Sequence, residues 1–441
     1  MTTEGLLDLF LRNQSVCTDT RKVKAGDLFF ALKGERFNGN LFAAQALKAG
    51  ADFAIVDEAD ACIAGDERYI LVEDGLWALQ DLARAYRRTL SIPFLGITGS
   101  NGKTTTKELV YAVLSTSHKT FATQGNFNNH IGVPLTLLSI PKDTEIAIIE
   151  MGANQAGDIK ELVEIAEPTH GLITNIGQAH LERFGSLDGV QKTKGELFDF
   201  LRANGGTLFV NLADERVVKA ANYHNNDISF GTAEADFQIE LLSQGITGMK
   251  LRFVDSKQSP LELETQLSGA YNAMNILVGA MLGSYFGVPR SDIQKGIYGY
   301  QAKNNRSEIV KRGNLTILLD AYNANPSSMR AAIQNIFQYS DQRVLLILGD
   351  MLEMGEQEAQ IHADLGRFIN QFDPICTIGV GARMQSMVDV LEGPSSWYLN
   401  TQDAVAGVLE TSKSADMILI KGSRGIALEK LLAHFPETLR T

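Results

Sequence analysis

The segment Gly96-Ile97-Thr98-Gly99-Ser100-Asn101-Gly102-Lys103-Thr104-Thr105-Thr106 carries the residues best suited to hold a polyphosphate. Its glycines let main-chain NH groups turn toward phosphate oxygens, Lys103 supplies a point charge, and the Thr104 hydroxyl can ligate magnesium. A buried strand should precede this loop and a helix should open near Lys107, so that the positive end of the helix dipole adds to the site. The expected ligand is a nucleoside triphosphate, with Thr98, Gly99, Ser100, Asn101, Gly102, Lys103, Thr104 and Thr105 around its phosphates. Ile97 stands where the first glycine of G-x-x-x-x-G-K-[ST] would fall, so the match is a variant. The plainer alternative, a glycine-rich turn between strand and helix, is disfavoured by Gly-Lys-Thr-Thr at a helix start.

Other residues offer chemistry only in company. Glu150 ends the apolar run Ile146-Ala147-Ile148-Ile149, and a carboxylate at the C-terminal edge of a parallel strand faces the ligand crevice. Alone it could equally cap the next loop. His180 follows the next expected strand, which brings it to the same edge. Lys421 and Arg424, after the last apolar run, either reach an anion or form a surface charge pair. Asn272 and Asn275 at a helix start read as caps, and the Asn, Gly and Asp clusters at 18–21, 33–39 and 124–134 read as turns.

The elements that must position these residues follow from hydrophobic periodicity. A small α/β unit is expected first, with strands at 27–32 and 54–56 and helices at 42–49 and 76–89. Pro93 breaks the pattern and marks a boundary. Strands at 94–98, 145–150, 171–175 and 207–211 alternate with amphipathic helices, as in a parallel sheet. Period-two segments at 251–254 and 261–264 add antiparallel strands, and a helix should run over 271–286. Strands at 315–319, 344–348, 375–378, 397–399 and 417–420 form a second alternating series, a Rossmann-like doubly wound unit. The fold class is therefore α/β in three domains: an N-terminal module at 1–90, a central domain at 91–305 carrying the phosphate loop, and a C-terminal domain at 306–441.

Bulk properties agree. A chain of 441 residues, 44% hydrophobic and 21% charged, is long enough for several cores. A net charge of -12 argues against a nucleic-acid binder, so anionic ligands must be met locally. The cysteines Cys17, Cys62 and Cys376 are odd in number and widely spaced, which disfavours a disulfide framework. No membrane span or signal segment is evident, and a cytoplasmic, non-membrane protein is expected.

The variant Thr-Gly-Ser-Asn-Gly-Lys-Thr-Thr resembles the Mur ligase superfamily, and further motifs extend the resemblance from about Thr18 to Arg424. It implies that Lys103, Glu150, His180 and Lys194 form the catalytic set. Glu150 and His180, with Thr104, would hold two magnesium ions. Lys194, in Lys194-Gly195-Glu196-Leu197-Phe198, matches the lysine that many members carry as a carbamate, turning a cation into an anionic metal ligand; Lys192 is the competing candidate. Gly269-Ala270-Tyr271-Asn272-Ala273-Met274-Asn275 resembles a segment of the nucleotide pocket, with Asn275 the better ligand candidate, and Arg306 resembles an arginine that bridges phosphate oxygens.

Asp320, Tyr322 and Asn323 match the ribose- and adenine-side loop. Asp320-Ala321-Tyr322-Asn323-Ala324-Asn325-Pro326 has the form of the branch that joins D-alanyl-D-alanine to UDP-N-acetylmuramoyl-tripeptide, where other members usually carry a histidine near Tyr322. Thr18, Asp19, Thr20, Arg21, Lys33 and Asn38 match the module holding the UDP end, and Asn126, Asn128 and Asn129 the loop facing the sugar-peptide. Asn325, Lys421 and Arg424 complete the implied substrate side. ATP is the implied nucleotide and the chain is expected to act as a monomer. The rivals are another amide ligase of the family and a nucleotide-switched binding protein for UDP-sugars.

Overall fold

The computed structural model describes residues 1–35, 37–177, 181–303, 305–338 and 342–436. The first sheet is four-stranded and parallel, in the order Val16–Cys17, Leu28–Phe30, Phe53–Val56, Tyr69–Leu71. The strand expected at 27–32 is shorter because Asp27 accepts hydrogen bonds from Ser15 Oγ and from the Lys24 amide. The two outermost strands, of two and three residues, carry no readable periodicity.

The helix Gly75–Thr89 joins this sheet to the next. Asp74 caps it by accepting from the Trp77 amide, and one stripe, Leu79, Leu82, Ala83 and Tyr86, is buried. That stripe belongs to a core running from Leu6 and Phe10 to Leu137 and Val163, so apolar packing continues past the covalent link near Pro93. Arg87 donates to the carbonyls of Ala166 and Glu167 and lies 3.7 Å over the Phe94 ring.

The central sheet has nine strands, ordered Leu261–Thr265, Gly248–Asp255, Phe237–Gly245, Ile228–Phe230, Thr207–Asn211, His170–Ile173, Phe94–Thr98, Ile146–Glu150, Thr120–Ala122. Only the pairs among the first three are antiparallel. The burial pattern explains the contrast: Phe94–Thr98 and Ile146–Glu150 are buried throughout, between two helical layers, whereas Leu261–Thr265 alternates buried and exposed. The strands at 120–122 and 228–230 were not expected, being too short to show a period. The helix expected over 271–286 begins later, as Ala273–Tyr285, after a 3-10 turn at Ala270–Asn272.

The third sheet runs Glu308–Arg312, Leu315–Asp320, Met417–Lys421, Val344–Gly349, Cys376–Val380, Ser395–Tyr398, with only the first pair antiparallel. Its edge strand at 395–398 lies ahead of the expected 397–399. One core lies around Met329, Ile333 and Leu365 and another around Val408, Leu428 and Leu431. These are the two helix-covered faces of a doubly wound sheet. The overall class is α/β, with parallel-rich sheets.

Candidate functional site

Phe94–Thr98 ends in the phosphate loop, and the helix behind it, Lys103–Leu114, begins four residues earlier than expected near Lys107. Gly102 has φ +78° and a Cβ there would lie 2.7 Å from Asn275 Oδ1, so both backbone and packing demand glycine. Asn275 is held by Thr106 Oγ1 at 3.0 Å and itself donates to Asn272 Oδ1 at 2.9 Å. Asn272 occupies the cap position without capping; its amide group donates to the Ser268 carbonyl instead.

Asn175, absent from the sequence-based candidates, shapes the loop. It accepts from the Asn101 amide at 3.0 Å and donates to the Asn101 carbonyl at 3.0 Å, as a neighbouring strand would. Its only sequence signal was its place as the last residue of the strand expected at 171–175, which in the structure ends at Ile173.

Glu150 closes the next strand and is 1% exposed. Its Oε1 accepts from Thr104 Oγ1 at 3.1 Å and from Asn128 Nδ2 at 2.9 Å. Oε2 is buried without a hydrogen-bond partner, and Lys107 Nζ lies 3.8 Å from it. A lone carboxylate oxygen beside a threonine hydroxyl fits magnesium, which takes one or two protein oxygens and completes its shell with phosphates and water. His180 lies outside the described residues.

Two lysines meet at one carbonyl: Lys103 Nζ and Lys194 Nζ donate to Gly99 O at 2.6 and 3.0 Å. Burial pushes the Lys103 amine below its ordinary value, with Glu150 opposing and Arg306 adding to the depression. Lys194, 2% exposed, lies well below the ordinary lysine value through burial and the neighbouring Lys103 charge. A neutral amine is the form that reacts with carbon dioxide to give a carbamate and a proton. Lys192 is exposed on the same helix, so of the two lysines only Lys194 faces the loop.

The third sheet presents its carboxyl edge to the same place. Asp320 and Lys421 are register partners on adjacent strands, and their side chains pair at 2.5 Å with Lys421 1% exposed. This excludes the surface charge pair that the sequence left open for Lys421. Asn325 caps the helix Pro326–Phe337, and its amide donates to Asn101 Oδ1 at 2.7 Å. Asn101 in turn donates to Ser327 Oγ at 3.1 Å. Tyr271 and Ser307 bond through their hydroxyls at 2.9 Å.

The result is a cleft of about 630 Å³ lined by Ser100 to Thr105, Asn126, Asn128, Asn129, Glu150, Asn275, Arg306, Asp320, Tyr322, Asn323, Asn325 and Lys421. Asp158, Glu161 and Arg183, which sequence reasoning missed, line it too. Thr98 and Gly99 lie beneath the loop, and Arg424 sits at 5.3 Å from the Tyr322 ring. Thr18, Asp19, Thr20, Arg21, Lys33 and Asn38 do not line the cleft. Arg21 is spent on a two-pronged bond to Asp19, Lys33 pairs with Asp57 at 3.1 Å, and Asn38 donates to Glu58.

Family models described as "Mur ligase family, catalytic domain", "Mur ligase middle domain" and "Mur ligase, glutamate ligase domain" match residues 13–87, 97–283 and 305–424. A Bacillus subtilis protein named UDP-N-acetylmuramoyl-tripeptide--D-alanyl-D-alanine ligase is 37% identical, over 96% of this chain and 93% of that protein. The Escherichia coli protein of the same name is 32% identical, over 96% and 94%. Among solved structures, MurF from Acinetobacter baumannii superposes with a TM-score of 0.88 at 30% identity, covering 96% of this chain and 93% of that one. MurF ligase from Thermotoga maritima in complex with ADP gives 0.85 at 26%, covering 97% and 98%. With three family models in order along its length and relatives matched nearly end to end, the chain belongs to the Mur ligase family.

Proposed function

We propose that this chain joins D-alanyl-D-alanine to UDP-N-acetylmuramoyl-tripeptide, converting ATP to ADP and phosphate. It is an ATP-dependent amide ligase of peptidoglycan synthesis, the activity named for its relatives. The terminal carboxylate of the tripeptide attacks the γ-phosphorus, ADP leaves, and an acyl phosphate results. The amine of the dipeptide then attacks the acyl carbon, phosphate departs, and the ammonium proton is lost.

The observation carrying this reading is the meeting in one cleft of the phosphate loop, a buried carboxylate with one oxygen free of hydrogen bonds, and the cations Arg306 and Lys421 of the C-terminal part of the chain. Lys103 and the loop amides would hold the triphosphate, with Arg306 across the cleft from them. Thr104 and Glu150, together with His180 by family resemblance, would hold Mg2+, which when bound offsets charge between the substrate carboxylate and the γ-phosphate. A carbamate on Lys194 would add an anionic ligand. Asp320, Asn323 and Asn275 form the nucleoside side of this reading, and Asn126, Asn128, Asn129, Asn325 and Lys421 the acceptor side, with Tyr322 between Arg306 and Arg424. Thr18 to Arg21, Lys33 and Asn38 would hold the UDP end on the N-terminal module. The domain limits 1–90, 91–305 and 306–441, a monomeric state and a cytoplasmic location belong to the same proposal; no helix of the described residues is long and apolar enough to cross a membrane.

Phosphate release measured with UDP-N-acetylmuramoyl-tripeptide, with and without D-alanyl-D-alanine, tests it. Turnover only with both supports the assignment; dipeptide-independent release, or none, overturns it.

A further inference from the structure

Tyr322 stands beside two guanidinium groups. The Arg306 guanidinium carbon lies 3.6 Å from the centroid of its ring and that of Arg424 lies 5.3 Å away. The arginines come from separate parts of the chain: Arg306 just precedes the strand Glu308–Arg312, and Arg424 follows the strand Met417–Lys421. Among the described residues neither guanidinium has a carboxylate partner or a side-chain hydrogen bond, and neither does the Tyr322 hydroxyl. Lys421, three residues before Arg424, contrasts with them because Asp320 neutralises it.

An unpaired arginine on a long stem has many rotamers to choose from, and ordering it costs entropy. An aromatic face restrains the planar group while leaving the donors at its edge free for a ligand. A carboxylate partner would restrain it too, but would occupy those donors and cancel the charge. Arg306 also lies near enough to Lys103 to depress the proton affinity of its amine, so the restrained guanidinium shares the field of the phosphate loop.

We propose that Tyr322 is a positioning residue, whose ring face holds Arg306, and more weakly Arg424, over the phosphate end of the nucleotide site. This rests on the reading that the cleft binds a nucleoside triphosphate. The ring acts through the arginines and not by stacking on the base, and its hydroxyl is dispensable.

Titration calorimetry of the full chain with a non-hydrolysable ATP analogue and Mg2+, and separately with adenosine, provides the test. Tyr322→Phe should bind the analogue within about twofold of the parent, and Tyr322→Leu about tenfold more weakly, the upper part of the cation–π range. Adenosine binding should change in neither. In an Arg306→Ala background, Tyr322→Leu should cause no more than about a twofold further loss. Full additivity of the two changes, or an equal loss for adenosine, would show the ring touching the nucleoside and overturn the proposal.

Tyr322→His supplies an independent arm should the leucine variant not fold. The loss of analogue affinity that Arg306→Ala causes in this variant should shrink between about pH 8 and pH 5.5 as imidazolium comes to repel Arg306, beyond any such change with Tyr322 present. A flat profile counts against the proposal. A parent chain that does not bind the analogue overturns the nucleotide reading itself and this inference with it.

Discussion

Thr104 Oγ1 donates a 3.1 Å hydrogen bond to Glu150 Oε1, which leaves Glu150 Oε2 buried and without a hydrogen-bond partner. Threonine and glutamate lie 46 residues apart and meet because Phe94–Thr98 and Ile146–Glu150 are neighbouring parallel strands. Lys107 Nζ, 3.8 Å away, offsets part of the charge, but a buried carboxylate oxygen without a hydrogen bond is expensive unless a ligand satisfies it.

Glu150→Gln keeps the shape and the hydrogen-bonding oxygen while removing the charge. Ligation should fall by about 10² or more, the scale seen when one preorganised electrostatic group is lost. Nucleotide-analogue binding should also lose its dependence on Mg2+, with the circular dichroism spectrum unchanged. Retained Mg2+ dependence would place the ion elsewhere.

Lys103 opens its helix, and its amine is bound to the carbonyls of Gly99 and Ser100. Lys103→Ala should abolish ligation yet leave affinity for the UDP-linked precursor within about twofold, because distant sites act independently. Comparable loss of both in a folded variant would contradict a UDP site on the N-terminal module.

Lys194 has a folded-state value far below the ordinary 10.5. Between the two values the unfolded chain binds a proton that the folded chain does not, so stability should rise with pH through that window. Lys194→Met removes the cost of burying the amine and should raise the Tm near neutral pH while lowering ligation at least about tenfold. Partial rescue of Lys194→Ala by formate or acetate would mark a carbamate. Full activity in Lys194→Met would remove this residue from the chemistry.

His362 is buried in the third sheet's helical layer, where Nε2 accepts from the Met351 amide at 3.0 Å. Burial holds its value below the ordinary 6.5. The unfolded chain therefore takes up a proton first, and the stability this histidine contributes, whole above pH 6.5, is lost as pH falls through it. His170, shifted the same way by burial, adds to the slope. Thermal melts from about pH 8 to pH 5 should show a shallower decline in His362→Gln than in the parent. Identical slopes would assign the acid sensitivity to other groups.

Much of this protein was legible in its residues alone. The phosphate loop announces itself because its glycines, lysine and threonine act within one turn of chain. Glu150 was visible as a charge ending an apolar strand, and the central and third sheets as alternating buried runs. Such features are local, so neighbouring residues suffice to specify them. Tertiary packing decided what distance in sequence hides. Asn175 clamps Asn101 from 74 residues away, Lys194 reaches Gly99 across 95, and Lys421 meets Asp320 across 101. The choice of Lys194 over Lys192 turned on which face of one helix is buried, and the pairing of Lys421 with Asp320 on strand register. Register and burial are settled only when separate strands and helices pack together, because each depends on the shape and charge of partners that the chain supplies from elsewhere.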